Sequence, residues 1–179
     1  PLVTNEFYHI VNRGVEQRNI FLEDEDRLRF INSLLVFNDA KPTTWHLRSF
    51  WEEYKVGTFF DYKPETPLVE IHALSLMNNH FHLLLRQIRD NGISEFMRKI
   101  GGYASYFNKR YRRIGSLFQG RFKGVLIKTE PQLINTFIYI HTNPIELIEP
   151  RWKEFKLKNP SQVFDFLKNY QWSSYPNYI

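Results

Sequence analysis

Residues 69–86 read VEIHALSLMNNHFHLLLR: two β-prone runs, 69–76 and 81–86, separated by too few residues for anything but a tight reversal. Asn78 and Asn79 sit at that reversal, where the tolerance of asparagine for positive φ suits a turn. The two runs must therefore be antiparallel neighbours, and every other element has to be arranged around them. Upstream, 7–13 is a short β-prone run ended by Gly14. Segment 24–37 then repeats apolar residues at Leu28, Ile31, Leu34 and Leu35 behind an acidic first turn, the pattern of an amphipathic helix. Downstream, 93–111 reads as a helix in spite of Gly101 and Gly102, with Asn91 or Ser94 as its cap. A fourth strand is expected over 121–128, and a third helix over 130–142, stopped by Pro144. The order β-α-β-β-α-β-α predicts an α+β, ferredoxin-like (βαββαβ) domain, with a four-stranded antiparallel sheet and its helices on one face. That fold hosts many functions and licenses none by itself.

The chain has 179 residues, enough for one domain and a poor fit to two, so 1–179 is read as a single unit. Segment 41–67 breaks the periodicity with three prolines and a high density of Trp, Phe and Tyr, and reads as an insertion. The proline-punctuated tail 145–179 is expected to pack on the domain. There is no cysteine, which excludes a disulfide framework, a thiolate metal site and a cysteine nucleophile. It also fits a reducing compartment, so a cytoplasmic location is expected. No apolar run approaches the ~20 residues that span a bilayer, and the first residues lack a signal-peptide layout, so no membrane partner is expected. The chain begins without Met, so a few leading residues are expected to be missing.

Charge is distributed unevenly. The net charge is +5, yet residues 98–128 hold nine of the 24 basic side chains and no Asp or Glu, leaving the remainder acidic. A solvated helix face normally mixes signs at i,i+4 spacing. Here Tyr103, Tyr106, Phe107, Tyr111, Phe118 and Phe122 are interleaved with the cations instead. Flat side chains among positive charges suit a single-stranded nucleic acid. Phosphates are expected on Lys109, Arg110, Arg112, Arg113, Arg121 and Lys123, with a minority of the aromatics free to stack on bases. The Trp and Tyr of 41–67 form a second candidate surface, or an aromatic hairpin packed on the domain.

His80 and His82 are the most informative residues. Two residues apart on a strand, they point to the same face and can converge on one metal ion, although two surface histidines meet so short a pattern equally well. Tyr139 and Asn143 are one helical turn apart, a phenol and a hard amide oxygen on one face. The plainer reading makes them a core aromatic and a cap, and Pro144 should push Asn143 out of the α region to a frayed helix end. Taken together, these residues fit a tyrosine nucleophile attacking a DNA phosphodiester, with a divalent ion to polarise the phosphate. Tyr103 and Tyr106, in the basic helix, are the rival nucleophiles. Glu130 and His141 are candidate outer-shell groups.

At this point the blocks YHIVNRG (8–14), LMNNHFHLLL (76–85), YASYFNKRYRRIGSLFQGRFKG (103–124), YIHTNP (139–144) and WSSY (172–175) resemble the single-tyrosine HUH transposases. The likeness is greatest to the REP-associated tyrosine transposases of bacteria. The resemblance implies that His80, His82 and Asn143 hold Mg²⁺ or Mn²⁺ and that Tyr139 is the nucleophile. It further implies cleavage of single-stranded DNA beside an imperfect hairpin, a 5′-phosphotyrosine and a free 3′-hydroxyl, rejoining without ATP, and a monomer or homodimer. Two departures stand out: Asn78 where the family usually has Pro, and the length of 41–67.

Other readings are a domesticated hairpin-binding protein that no longer cuts, an RNA-binding sheet, and a replication initiator or relaxase. Intact Tyr139, His80, His82 and Asn143 argue against the first. The aliphatic central strands argue against the second, since such sheets carry stacking aromatics there. The third often has a longer chain or additional domains.

Overall fold

The computed structural model describes residues 2–41 and 63–179. Strands β1 (Phe7–Arg13), β2 (Val69–Leu76), β3 (His80–Gln87) and β4 (Lys123–Ile127) form one sheet in the order β2-β3-β1-β4, every pair antiparallel. Helices are α1 (Asp24–Val36), α2 (Gly92–Ile100), α3 (Tyr103–Arg110), α4 (Glu130–Thr142) and α5 (Pro160–Asn169). This is the ferredoxin-like arrangement expected from periodicity.

The central strand β3 is buried on both faces. Phe81, Leu83 and Leu85 join Tyr8 and Ile10 under α1 and α2, in a core with Phe30, Leu34, Ile93 and Phe96. Leu84 points the other way, into a smaller cluster with Ala73, Ile127 and Ile140 of α4. The helices of the βαββαβ core thus share one face as expected, while the added helix α4 covers the opposite one. His80 and His82 lie on that second face because they alternate with Phe81.

The helix expected over 93–111 is two helices. Gly101 and Gly102 keep right-handed dihedrals, but the bonding tightens: Gly102 N–H donates to Lys99 and Ala104 N–H to Gly101, three residues back. The aromatics that follow are core residues. Tyr103 and Phe107 are buried, whereas Tyr106, Tyr111, Phe118 and Phe122 are half-buried against the same cluster and keep part of their surface in solvent.

The tail packs on the domain and has structure of its own. Its helix α5 gathers Val163 and Leu167 on Ile145. The segment after it pairs with the open edge of β2: Leu76 N–H donates to Trp172, Ser174 N–H donates to Leu74, and Ser75 bridges Ser173. Trp45, Phe50, Trp51, Tyr54, Phe59 and Phe60 lie outside the described residues.

Candidate active site

The Asn78–Asn79 reversal works through its polar groups. Neither asparagine takes a positive φ. The Asn78 carbonyl accepts the N–H groups of Ile20 and Phe21, and Asn79 accepts that of Gly14, which ties the β1–α1 connection to the turn. At Gly14 a Cβ would lie 2.2 Å from the Arg18 carbonyl, so the close approach needs glycine. The side chain of Asn79 then accepts from His80 Nδ1 at 2.6 Å. That bond places the proton of His80 on Nδ1 and leaves the Nε2 lone pair free.

His82 is oriented in the same sense. Asn143 Nδ2, a donor, lies 3.1 Å from His82 Nε2. His82 Nε2 must accept, so its proton sits on Nδ1, which donates to His9 Nε2 at 2.9 Å. Burial first, then His80, His9 and Lys153, pushes His82 down to about 2. Burial likewise lowers His80, with Lys153 and Arg13 acting in the same direction and Glu146 against them; burial lowers His9 too. Neutral imidazoles are what a divalent ion requires, and at His82 the ion would replace the bond from Asn143 to Nε2.

Asn143 departs from expectation. It keeps helical dihedrals (φ −55°, ψ −40°), and its N–H donates to Tyr139, although Pro144 follows. The chain runs straight on into a 3₁₀ turn, Asn143–Leu147, in which Pro144 loses no needed donor. Asn143 is 1% exposed against His82, not at a frayed end. One turn back, the ring of Tyr139 stands edge-on to His82 (5.4 Å between centroids, 89°) and to His9 (5.8 Å, 72°). Tyr139 is 39% exposed, and its hydroxyl has no hydrogen-bond partner among the described residues.

His80, His82, Tyr139 and Asn143 thus line one open cavity of about 500 Å³, with Arg13, Asn79, Glu146 and Leu147 also in its wall. The donor set fits a divalent ion: two imidazole Nε2 atoms and one amide that can turn its oxygen inward. Among the described residues no group of three or more His, Cys, Asp or Glu gathers as a metal cluster, and the Asn143 amide is the candidate donor beside the two imidazoles.

Sequence reasoning overlooked three neighbours. His9 stacks on His82 (5.1 Å, 24°) and bonds to it. Lys153 holds its ammonium 4.8 Å from the centre of the Tyr139 ring, and pairs with Glu146. The histidine spacing offered no signal for any of them. His9 lies in the YHIVNRG block, but two residues before Val11, which is the residue opposite His82 in the sheet register.

The rival tyrosines are committed elsewhere. Tyr103 is 2% exposed, and its hydroxyl donates to the Ile20 carbonyl. The Tyr106 hydroxyl donates to Asp26 and accepts from Arg110. Burial and the Asp26 carboxylate raise the pKa of both. Glu130 stands in the first turn of α4, the far end from Tyr139. His141 turns from the cavity: its Nε2 bonds to Ser174 and its ring meets Phe137 edge-on. Neither lines the cavity.

The basic residues divide into three groups. Arg121 and Lys123 line a cleft of about 270 Å³ with Asn12 and Gln119, and that cleft shares Val11 and Arg13 with the cavity at Tyr139. Lys109 and Arg112 are exposed at the end of α3, and Arg113 bonds to Asn108 and covers Phe107. Arg110 is held by Glu23 and Asp26, which join α3 to α1.

A ferredoxin-like sheet whose central strand presents two histidines to a tyrosine on a covering helix defines a class, the His–hydrophobic–His transposases with one tyrosine. The comparisons agree with that class. A family model described as "Transposase IS200 like" matches residues 3–143, and the chain belongs to this family. The family implies a divalent metal. Among solved structures, the fold matches one described as a REP-associated tyrosine transposase bound to a REP hairpin. The TM-score is 0.56 at 13% identity, covering 99% of this chain and 81% of that one. No curated protein matches. Among the described residues, no helix is long and apolar enough to cross a membrane.

Proposed function

We propose that this transposase-family chain is a metal-dependent single-strand DNA endonuclease and strand transferase acting through Tyr139. The observation that carries the reading is the convergence of the Tyr139 ring on His82, itself 3.1 Å from Asn143, in one open cavity. Tyr139 Oη forms a bond to phosphorus, the bond from phosphorus to the 3′-oxygen breaks, the phenol gives up its proton, and the leaving oxygen gains one as a 3′-hydroxyl. Rejoining is the reverse, and the phosphotyrosine ester conserves the bond energy. His80, His82 and Asn143 would hold Mg²⁺ or Mn²⁺, with imidazole favouring Mn²⁺, and the ion would supply Lewis-acid polarisation of the phosphate.

Hairpin DNA is the proposed substrate. The fold relative bound to a REP hairpin supports this, as does the basic cleft that joins the cavity. Phosphates are assigned first to Arg121 and Lys123, then to Lys109, Arg112 and Arg113. Arg110 serves α1 and keeps only its outer edge for DNA.

Incubating labelled single-stranded hairpin DNA with the protein and Mn²⁺ should give a covalent adduct that survives denaturation. Tyr139→Phe should bind the DNA and give none. Binding without adduct in the wild type would instead support the non-cleaving alternative.

A further inference from the structure

The turn after α4 leads from the catalytic cavity into a second one. Leu147 lines the first, and the next residue, Ile148, opens a cleft of about 510 Å³ with Arg151, Trp152, Phe155, Lys156 and Lys158. Phe155 is 58% exposed there, with the Arg151 guanidinium over its ring at 5.0 Å. A large aromatic left in water beneath a planar cation offers two flat surfaces to a nucleobase.

The charge points the same way. Residues 150–158 carry Arg151, Lys153, Lys156 and Lys158 against one acid, Glu154. Glu149, the acid in the lining, is already engaged: its carboxylate accepts the backbone N–H groups of Lys158 (3.1 Å) and Asn159 (3.2 Å). Lys153, in the same 150–158 run, reaches towards Tyr139. A polyanion with one phosphate at Tyr139 therefore meets Lys153, which it shares with Glu146, and then Arg151, Lys156 and Lys158 as it passes over Leu147 into the cleft. A second copy of the chain would oppose these cations with the same cations, so the face suits DNA better than itself.

We propose that this cleft binds the unpaired nucleotides that continue from the scissile phosphate, stacking a base on Phe155 and holding phosphates on Arg151, Lys156 and Lys158. The proposal rests on the reading of Tyr139 as the cleaving residue.

The test measures binding in Tyr139→Phe, where no cleavage intervenes, using hairpin oligonucleotides with flanks of increasing length. Affinity should rise as the flank grows. Adding Phe155→Ala should cost the long-flank DNA about tenfold and spare the hairpin with its flanks trimmed. Adding Arg151→Gln with Lys156→Gln should lower the salt slope by about 1.4 for flanked DNA. Flank dependence and slope unchanged in both variants would overturn the proposal. So would a change in the sedimentation of the DNA-free protein without any effect on flanked DNA, which would make the cleft a subunit contact. Wild-type protein that forms an adduct while the cleft variants bind normally removes the cleft alone. Flank dependence with no adduct from the wild type faults the cleavage reading and keeps the cleft.

Discussion

His9 should set the metal affinity of the site without touching the metal. The perturbation is His9→Leu, which keeps apolar bulk and removes the Nε2 atom that accepts from His82 Nδ1 at 2.9 Å. His82 is 4% exposed, so its N–H would be left buried with no replacement from water. Such a group costs about 1–3 kcal/mol, which the ring can avoid only by rotating its Nε2 away from Asn143. Losing the orienting partner of a ligating histidine lowers metal affinity about 10–100-fold. The assay is Mn²⁺ titration read by electron paramagnetic resonance, with circular dichroism to confirm that each protein is folded. His9→Gln, whose amide oxygen can accept the same proton, should recover most of the affinity. A residue that merely filled space would lower the melting temperature and leave the Mn²⁺ affinity of the folded protein unchanged. His9→Leu with wild-type affinity would refute the argument.

Asp39 should anchor both ends of 41–67. Its carboxylate accepts Lys41 N–H (2.9 Å), Glu65 N–H (2.9 Å) and the Thr66 hydroxyl, and these bonds outweigh burial and hold it at about 2. A carboxyl depressed by folding contributes stability that is complete above its unfolded pKa, near 4, and is lost as pH falls towards 2. Asp39→Ala should cost about 2–3 kcal/mol in urea melts at pH 7, with the gap from wild type narrowing in acid; a gap that stays constant with pH would count against this. Arg121→Ala with Lys123→Ala should lower the salt slope of hairpin binding by about 1.4, measured by fluorescence anisotropy. Arg110→Ala should mainly lower thermal stability, since it separates α3 from Glu23 and Asp26; the reverse pattern would return Arg110 to the DNA surface.

Local pattern made the sheet legible. The bounds of β1, β2 and α4 follow from period-two runs, a 3.6-residue repeat and Pro144, and the structure keeps them. The layering was harder to read. Ile140, Phe137 and Leu133 reveal that α4 has an apolar stripe, but nothing local says which face of the sheet receives it. That answer comes from β3, where Leu84 is as apolar as Leu83 and Leu85, so both faces had to be covered. The basic run shows a similar limit: its aromatics alternate with cations along the chain, and spacing does not say that Tyr103 and Phe107 are the two that face fully inward.

At the site, sequence spacing pointed to the proposed ligands but not to what aims them. His80 and His82 are visible from their spacing alone; Asn79 and His9, which fix the two tautomers, act across a turn and a neighbouring strand. Asn143 shows the same limit from the other side. A rule for pre-proline residues applied in isolation puts it at a frayed end, whereas Pro144 begins the next 3₁₀ turn and needs no N–H partner there. The proline then stiffens the exit from α4 and holds Asn143 against His82, where a residue free to fray could not keep an amide within 3.1 Å of the imidazole. The segment that follows the turn brings Lys153 to Tyr139, so 143–153 positions both the proposed third donor and the cation beside the proposed nucleophile.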